Sequence, residues 1–172
     1  MSDFAPSPAP ASAGRRGAFF AYTAIALLVA LDQGTKILVR RAFEPGESLP
    51  VVAGLFNLTY VRNEGAAWGI LQGWGLFLVA LAIAMFVFLV VRRRQIFGEG
   101  RLAAAAFILL LAGIAGNVLD RLFLRYVVDF LDFYHGAWHF PAFNVADSCI
   151  CVGVGLFLLR NLLFPADNTH SH

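Results

Sequence analysis

Four long apolar runs dominate this sequence and restrict it to folds that a lipid bilayer can hold. They cover residues 17–39, 74–91, 102–124 and 145–164. A helix needs about 20 predominantly apolar residues to cross the hydrocarbon layer. Only 14% of the 172 residues are charged, whereas a soluble domain has about 25%. We therefore predict an all-α membrane protein with four transmembrane helices.

The arginines near the helix ends indicate how the chain is oriented, because basic residues are retained on the cytoplasmic side. The two sides carry similar numbers, but one short connection concentrates them: Arg92, Arg93, Arg94 and Arg101. We therefore predict that this connection and both termini are cytoplasmic. Segments 40–73 and 125–144 then face outward.

The four runs and their connections are predicted to form a single domain over residues 17–165. Residues 1–16 begin with a stretch rich in Pro, Ala and Ser, and residues 166–172 are polar. We predict that both tails are disordered, since neither can bury enough apolar surface to fold. The first apolar run is longer than the roughly 7–15 residues of a cleaved signal sequence, so we expect it to be retained.

The outward segments are predicted to contain a small extracytoplasmic β-sheet. Residues 44–47 (EPGE) are typical of a turn, and residues 48–60 alternate in part between apolar and polar side chains, which indicates strands. Residues 134–143 are rich in aromatic side chains. Such residues are enriched where a membrane protein meets the lipid headgroups.

Two aspartates, Asp129 and Asp147, lie where apolar segments approach the membrane surface. A carboxylate this close to hydrocarbon is costly unless it is paired or hydrated, so we interpret both as functional. Two carboxylates at close range cannot both ionise, and a shared proton with an activated water is the chemistry of aspartic peptidases. Asp132 is a rival that the chemistry alone does not exclude.

Other classes of function are alternatives to this hypothesis. The chain has no Ser/His/Asp set and no HExxH metal motif, and His135 and His139 are predicted to be interfacial side chains rather than zinc ligands. Carboxylates within a membrane also relay protons in transporters, although we find no paired repeats of the transporter kind. A purely structural subunit leaves the outward polar residues unexplained. From the residues alone, peptidase and proton-coupled carrier both stay open.

Polar residues on the helices are candidates to support the aspartates. Asp32 and Lys36 are four residues apart, in the better order for a helical ion pair. Asn144 lies three residues before Asp147, so the two are expected on one face of the last helix.

The third apolar run has two further features. Asn117, Asp120 and Arg121 are expected to share one helix face, and a structural ion pair between Asp120 and a neighbouring arginine is the alternative to a role in the site. Gly113 and Gly116 offer a small surface for close helix packing.

Five short motifs resemble, in order, those of the lipoprotein signal peptidase family, also called signal peptidase II. They are residues 32–36 (DQGTK), 63–69 (NEGAAWG), 116–121 (GNVLDR), 127–130 (VVDF) and 143–147 (FNVAD). One such motif alone would be a weak signal. Five in order along a chain with four apolar runs make a specific one.

The resemblance implies a bacterial inner-membrane aspartyl endopeptidase that cuts lipid-modified prolipoproteins just before the diacylglyceryl-cysteine. It selects Asp129 and Asp147 as the catalytic pair over Asp132. Four polar residues are expected to orient this pair or hold the substrate: Asn63, Asn117, Arg121 and Asn144. The expected partners are the prolipoprotein and membrane lipids, with no nucleic acid, metal or cofactor. The protein is expected to act as a monomer.

Overall fold

The computed structural model describes residues 11–65 and 73–164, and within these it describes only the backbone of residues 11–16. The elements in chain order are helix α1 (Ala11–Ala42), strands β1 (Ser48–Val52) and β2 (Phe56–Asn63), helices α2 (Gly75–Val91), α3 (Arg93–Phe97) and α4 (Arg101–Leu124), strands β3 (Val127–His135) and β4 (Trp138–His139), and helix α5 (Val145–Leu163). The chain is therefore mostly helical with a small sheet, as predicted.

Three of the described helices are long and apolar enough to cross a membrane by length and composition. They are the Gly17–Ala42 part of α1, all of α4 and all of α5. Helix α2 coincides with the second predicted span, but it has 17 residues. At 1.5 Å per residue it extends about 25 Å, somewhat less than the roughly 30 Å of hydrocarbon. Three of the four predicted spans thus meet the length requirement.

Helix α1 is longer than predicted at both ends. It begins at Ala11 instead of residue 17, and it ends at Ala42 instead of residue 39. The backbone of residues 11–16 thus continues the helix into the last part of the segment that was predicted to be a disordered tail. The remaining parts of the two predicted tails lie outside the described residues.

The strands form one antiparallel sheet in the order β1-β2-β3-β4. Strands β1 and β2 confirm the prediction of strands within residues 48–60. Strand β3 was not predicted, and it supplies one of the candidate aspartates: Asp129 lies opposite Val61 of β2, and Asp132 lies opposite Asn57. The first four residues of β3 are all buried, so the alternation that marks a half-exposed strand is absent from its sequence.

Helix α4 is the centre of the bundle. Of its most apolar 18-residue stretch, 56% is buried, compared with 11% for α1 and 17% for α5. It packs against α1, α2 and α5. Gly113 allows α4 and α5 to pack closely. A Cβ atom at this position would collide with the backbone oxygen of Ala146 and lie 2.6 Å from Cγ1 of Ile150. The predicted close packing at this glycine is confirmed.

This contact predicts that Gly113→Ala lowers stability. The added methyl group must push α5 away from α4, at a cost of about 1–3 kcal/mol for an overpacked site. Thermal unfolding in detergent measures the effect. Gly155→Ala on α5 is the matched control, because nothing lies within 4 Å of the Cβ it would gain. Equal melting temperatures for the two variants would contradict the account.

Candidate active site

Asp147 is held at the start of α5 by a reciprocal cap. Asn144 is the N-cap residue, and its Oδ1 accepts a hydrogen bond of 2.9 Å from the backbone N–H of Asp147. In return, Oδ2 of Asp147 accepts from the backbone N–H of Asn144 at 3.3 Å. This capping box satisfies two N–H groups that a helix end leaves unpaired. Asn144 is thus the cap that precedes the helix. These two residues, three apart in the sequence, fix the position of the Asp147 side chain in the first turn of α5.

Asp129 reaches the same place from the sheet. Its side chain on β3 is buried, with 2% of its surface exposed. Nδ2 of Asn63, at the end of β2, donates to Oδ2 of Asp129 at 2.9 Å. Nδ2 of Asn144 donates to Oδ1 at 2.7 Å. Asn144 therefore donates to both carboxylates, to Asp129 through its side chain and to Asp147 through its backbone N–H.

A chain of hydrogen bonds fixes Asn117 against Asp147. The ammonium of Lys36 donates to Oδ1 of Asn117 at 3.1 Å, and Nδ2 of Asn117 donates to Oδ1 of Asp147 at 2.7 Å. An ammonium group has no acceptor, so it determines which end of the amide faces it. Nδ2 of Asn144 also lies 3.3 Å from Oδ1 of Asn117, which links the two amides that support the aspartates.

Lys36 is the centre of a buried ion cluster. Only 2% of its surface is exposed, and its Nζ lies 2.9 Å from Oδ2 of Asp32 and 3.0 Å from Oδ2 of Asp120. The predicted pair of Asp32 and Lys36 is confirmed. Asp120 has Lys36 as its partner, rather than the neighbouring arginine that sequence spacing suggested, because α1 and α4 pack side by side.

The two carboxylates of this cluster also hold the backbone beside each candidate aspartate. Oδ1 of Asp32 accepts from the N–H of Ala146 at 2.8 Å, and Oδ2 of Asp120 accepts from the N–H of Val128 at 3.0 Å. These residues directly precede Asp147 and Asp129. One lysine and its two carboxylates thus connect α1, α4, β3 and α5 where the candidate aspartates lie.

Both aspartates line one cavity of about 390 Å³. The segment 140–143 forms one side, and Ile150 and Cys151 of α5 contribute to another. Asn63, Asn117, Arg121 and Ser148 are further polar side chains that line the cavity. A mostly apolar pocket with a few convergent polar groups is the usual form of a ligand site.

Arg121 closes the site on the side of β2. Its Nη2 donates to the backbone oxygen of Gly65 at 2.9 Å, and its Nη1 lies 3.5 Å from the oxygen of Asn117. Its Nε is buried without a hydrogen-bond partner within residues 11–65 and 73–164. The motif at residues 63–69 is only partly described, since residues 66–69 lie outside that range.

The surroundings of Asp129 favour its protonated form. Burial, and to a smaller extent the nearby charge of Asp147, together raise the pKa of Asp129 to about 7. Hydrogen bonds from Asn63 and Asn144 oppose this change, but they are the smaller contributions. A carboxyl group that keeps its proton near neutral pH is suited to acid catalysis.

Asp132, the rival carboxylate, lies away from this cavity. Successive side chains of a strand point to opposite faces, so Asp132 and Asp129 are on different sides of β3. Asp132 accepts from Nδ2 of Asn57 at 2.9 Å and contacts Nδ1 of His139 at 2.8 Å.

In the described part of the chain, no group of His, Cys, Asp or Glu side chains is arranged to hold a metal ion.

One polar residue of the site was overlooked in the sequence. Nε2 of Gln33 donates to Oδ2 of Asp32 at 3.1 Å and to Oδ1 of Asp120 at 2.9 Å, so it completes the cluster around Lys36. Its place inside the motif at residues 32–36 was the available signal. The hydrogen bonds from the backbone N–H groups of Ala146 and Val128 could not be predicted from the sequence, because every residue except proline has such a group.

Comparison with known proteins gives consistent matches over most of the chain. Residues 24–163 match the family described as Signal peptidase (SPase) II. A lipoprotein signal peptidase of Geobacter metallireducens is 44% identical over 144 residues, which are 82% of this chain and 88% of the relative. One from Syntrophotalea carbinolica is 47% identical over 137 residues, which are 77% and 84%.

The fold agrees with these matches. A solved structure of a bacterial membrane enzyme superimposes with a TM-score of 0.77 at 32% sequence identity, and the match covers 89% of this chain and 93% of the other. The family match includes both candidate aspartates and every residue described around them. On this evidence, the chain belongs to the signal peptidase II family.

Proposed function

We propose that this protein is an aspartic endopeptidase of the bacterial inner membrane that removes the signal peptide from diacylglyceryl-cysteine-modified prolipoproteins. Asp129 and Asp147 are the catalytic pair in this proposal. The observation that carries it is the position of Asn144, which contacts both carboxylates at the wall of one cavity. Relatives called lipoprotein signal peptidases supply the substrate class.

The proposed reaction uses a water between the two carboxyl groups. The ionised carboxylate accepts a proton from the water, and the resulting hydroxyl attacks the scissile carbonyl carbon. The protonated carboxyl hydrogen-bonds to the carbonyl oxygen and stabilises the charge that develops there. The tetrahedral intermediate then collapses with proton transfer to the leaving amine, and the C–N bond breaks. The pair titrates as a unit, with Asp129 contributing a pKa of about 7.

The residues around the pair have supporting roles in this proposal. Asn63, Asn117 and Asn144 orient the carboxylates, since the side-chain amide of each donates to one of them. Nε of Arg121, which has no partner in the described part of the chain, is a donor for a substrate carbonyl oxygen. A buried donor that is unpaired before binding favours a ligand that satisfies it.

The proposal includes a membrane topology. Helix α2 is the fourth span, since a 17-residue apolar helix is at the lower limit for crossing a bilayer. Both termini and the arginine-rich connection at residues 92–101 are cytoplasmic. The sheet and the aspartates then lie near the outer face, where the cleavage site of an exported lipoprotein emerges. The protein acts as a monomer, without a cofactor.

A depletion experiment tests the proposed function. In bacterial cells that lack this protein, we expect a prolipoprotein that carries its diacylglyceryl group but retains its signal peptide to accumulate. The wild-type chain should restore cleavage, as seen by a mobility shift on gels. If the uncut precursor does not accumulate, or if the protein restores growth without restoring cleavage, the proposed substrate is wrong.

The cleavage rate is expected to fall as pH rises through about 7, because Asp129 has a pKa of about 7. Above that pH the pair carries two negative charges and lacks the proton that the carbonyl requires. The measurement is kcat against pH at saturating substrate in detergent micelles. A rate that still increases above a pH of about 8 would contradict a one-proton pair.

A further inference from the structure

The outer wall of the cavity is a short segment attached to β3 at its two ends. At one end, the N–H of Phe140 donates to the oxygen of Phe133 at 2.8 Å. At the other, Phe143 donates to the oxygen of Leu131 at 3.1 Å, and its own oxygen accepts from the N–H of Leu131 at 2.8 Å. All four residues of segment 140–143 line the cavity. Its position therefore sets the width of the space available to a substrate.

The Asp132–His139 pair adjoins the first of these ends. Asp132 is 7% exposed, and an ionised carboxylate only accepts hydrogen bonds. Nδ1 of His139, at 2.8 Å from Oδ1, therefore carries the proton. The other carboxylate oxygen accepts from Asn57 of β2 at 2.9 Å, so the pair connects the residue before the wall to the interior of the sheet.

A second contact holds the imidazole of His139 from its face. The ring stacks on Tyr134, with centroids 5.1 Å apart and planes inclined by 11°. The hydroxyl of Tyr134 accepts from the N–H of Gly54, between β1 and β2, at 2.8 Å. His139 thus has two distinct interactions, one through its Nδ1–H and one through its ring, although its side chain is about half exposed.

We infer that Asp132 and His139 are a positioning pair that fixes the substrate-facing wall of the cavity. This inference rests on the proposed function. The pair touches neither catalytic carboxylate, and Asn144 is held independently of it by its own cap. The backbone bonds of Phe140 and Phe143 keep the wall attached to β3, so loosening His139 lets residues 140–142 shift without detaching them. The geometry of the catalytic pair stays intact. Such a change weakens substrate binding more than it slows the chemical step.

Three substitutions separate the two interactions of His139. His139→Phe keeps a ring to stack on Tyr134 but removes the donor. His139→Asn places an N–H donor where Nδ1 lies but removes the ring. His139→Ala removes both. His135→Ala is the matched control in the same hairpin, since His135 is also exposed. Each protein is assayed in detergent micelles with a diacylglyceryl-modified prolipoprotein, and its melting temperature is measured in parallel.

The pair predicts a specific pattern. KM should rise about threefold to tenfold for the Phe and Ala variants, as expected for one lost hydrogen bond, while kcat stays within about twofold. The His135 variant should match wild type, and the Asn variant should have a KM closer to wild type than to the Phe variant, because it keeps the donor. An unchanged KM in the Phe variant, or a fall in kcat at constant KM, would overturn the inference. An Asn variant as impaired as Phe would do the same.

The same assay distinguishes this failure from failure of the proposed function. If wild type does not cut the prolipoprotein, the function is wrong and the pair has no substrate to position. If wild type cuts it and Asp129→Asn does not, the function stands, and the His139 series alone decides the role of the pair.

Discussion

Asp129→Asn and Asp147→Asn are each expected to reduce cleavage of a lipid-modified prolipoprotein by at least about 10³-fold, the scale of a lost acid–base group. Asparagine keeps the size and the acceptor oxygen of aspartate, so the hydrogen bond from Asn144 to position 129 can persist. What is lost is the ability to take or give a proton. The measurement is single-turnover cleavage with purified protein in micelles.

Loss of folding is not expected to explain this loss of activity. Asp129 has its pKa raised from 3.8 to about 7 by burial and by Asp147, so the folded state binds its proton more tightly than the unfolded state does. Its contribution to stability is complete below about pH 4 and is lost as pH rises to about 7. Asp129→Asn should therefore melt no lower than wild type at pH 8.

An exposed carboxylate serves as the control for the catalytic pair. Glu44→Gln, at the turn before β1, removes a negative charge on the sheet side of the protein and should cleave at the wild-type rate. Near-normal turnover by either aspartate variant would rule out the pair as catalyst. Equal loss of activity in Glu44→Gln would show that net charge, rather than the pair, controls the rate.

Lys36→Met is expected to cause the largest loss of stability, about 3–5 kcal/mol, because removing one partner of a buried ion pair leaves an uncompensated charge. Asp32 and Asp120 would both lose their cation. Cleavage should fall as well, since Asn117 would no longer be fixed against Asp147. Thermal unfolding in detergent measures the first effect and kcat measures the second.

Two further variants make this prediction specific. Arg40→Met, on an exposed position of the same helix, removes a positive charge without leaving a buried carboxylate and should melt near wild type. Combining Lys36→Met with Asp32→Asn and Asp120→Asn removes the whole cluster of charges and should recover part of the lost stability. If Lys36→Met melts no lower than Arg40→Met, the cluster does not hold the helices together.

The sequence predicted the features that depend on local pattern. Continuous apolar runs located α2, α4 and α5 closely, because helix length in a bilayer follows from hydrocarbon thickness. Spacing of four residues predicted the pair of Asp32 and Lys36, since such residues are neighbours on any helix. The prediction was less exact where apolar composition ends, since α1 begins at Ala11 rather than at residue 17.

Features that depend on distant parts of the chain could not be predicted. Strand β3 pairs with β2, about 70 residues earlier in the chain, and its buried faces hide the alternation of a strand. Asp120 finds Lys36 only because α4 packs against α1. The same applies to the proposed pair. Motif resemblance selected Asp129 over Asp132, and the fold places these two side chains on opposite faces of β3, with only Asp129 at the cavity.

The most direct test of the central claim is infrared spectroscopy of the carboxyl groups as a function of pH. We predict that one protonated carboxyl band is lost near pH 7, as the pKa of Asp129 requires. Asp129→Asn should remove this titration, and Asp147→Asn should move it to lower pH, because a nearby negative charge has gone. The same titration persisting in Asp129→Asn, or no carboxyl proton lost between about pH 5 and 8 in wild type, would contradict a pair that shares one proton.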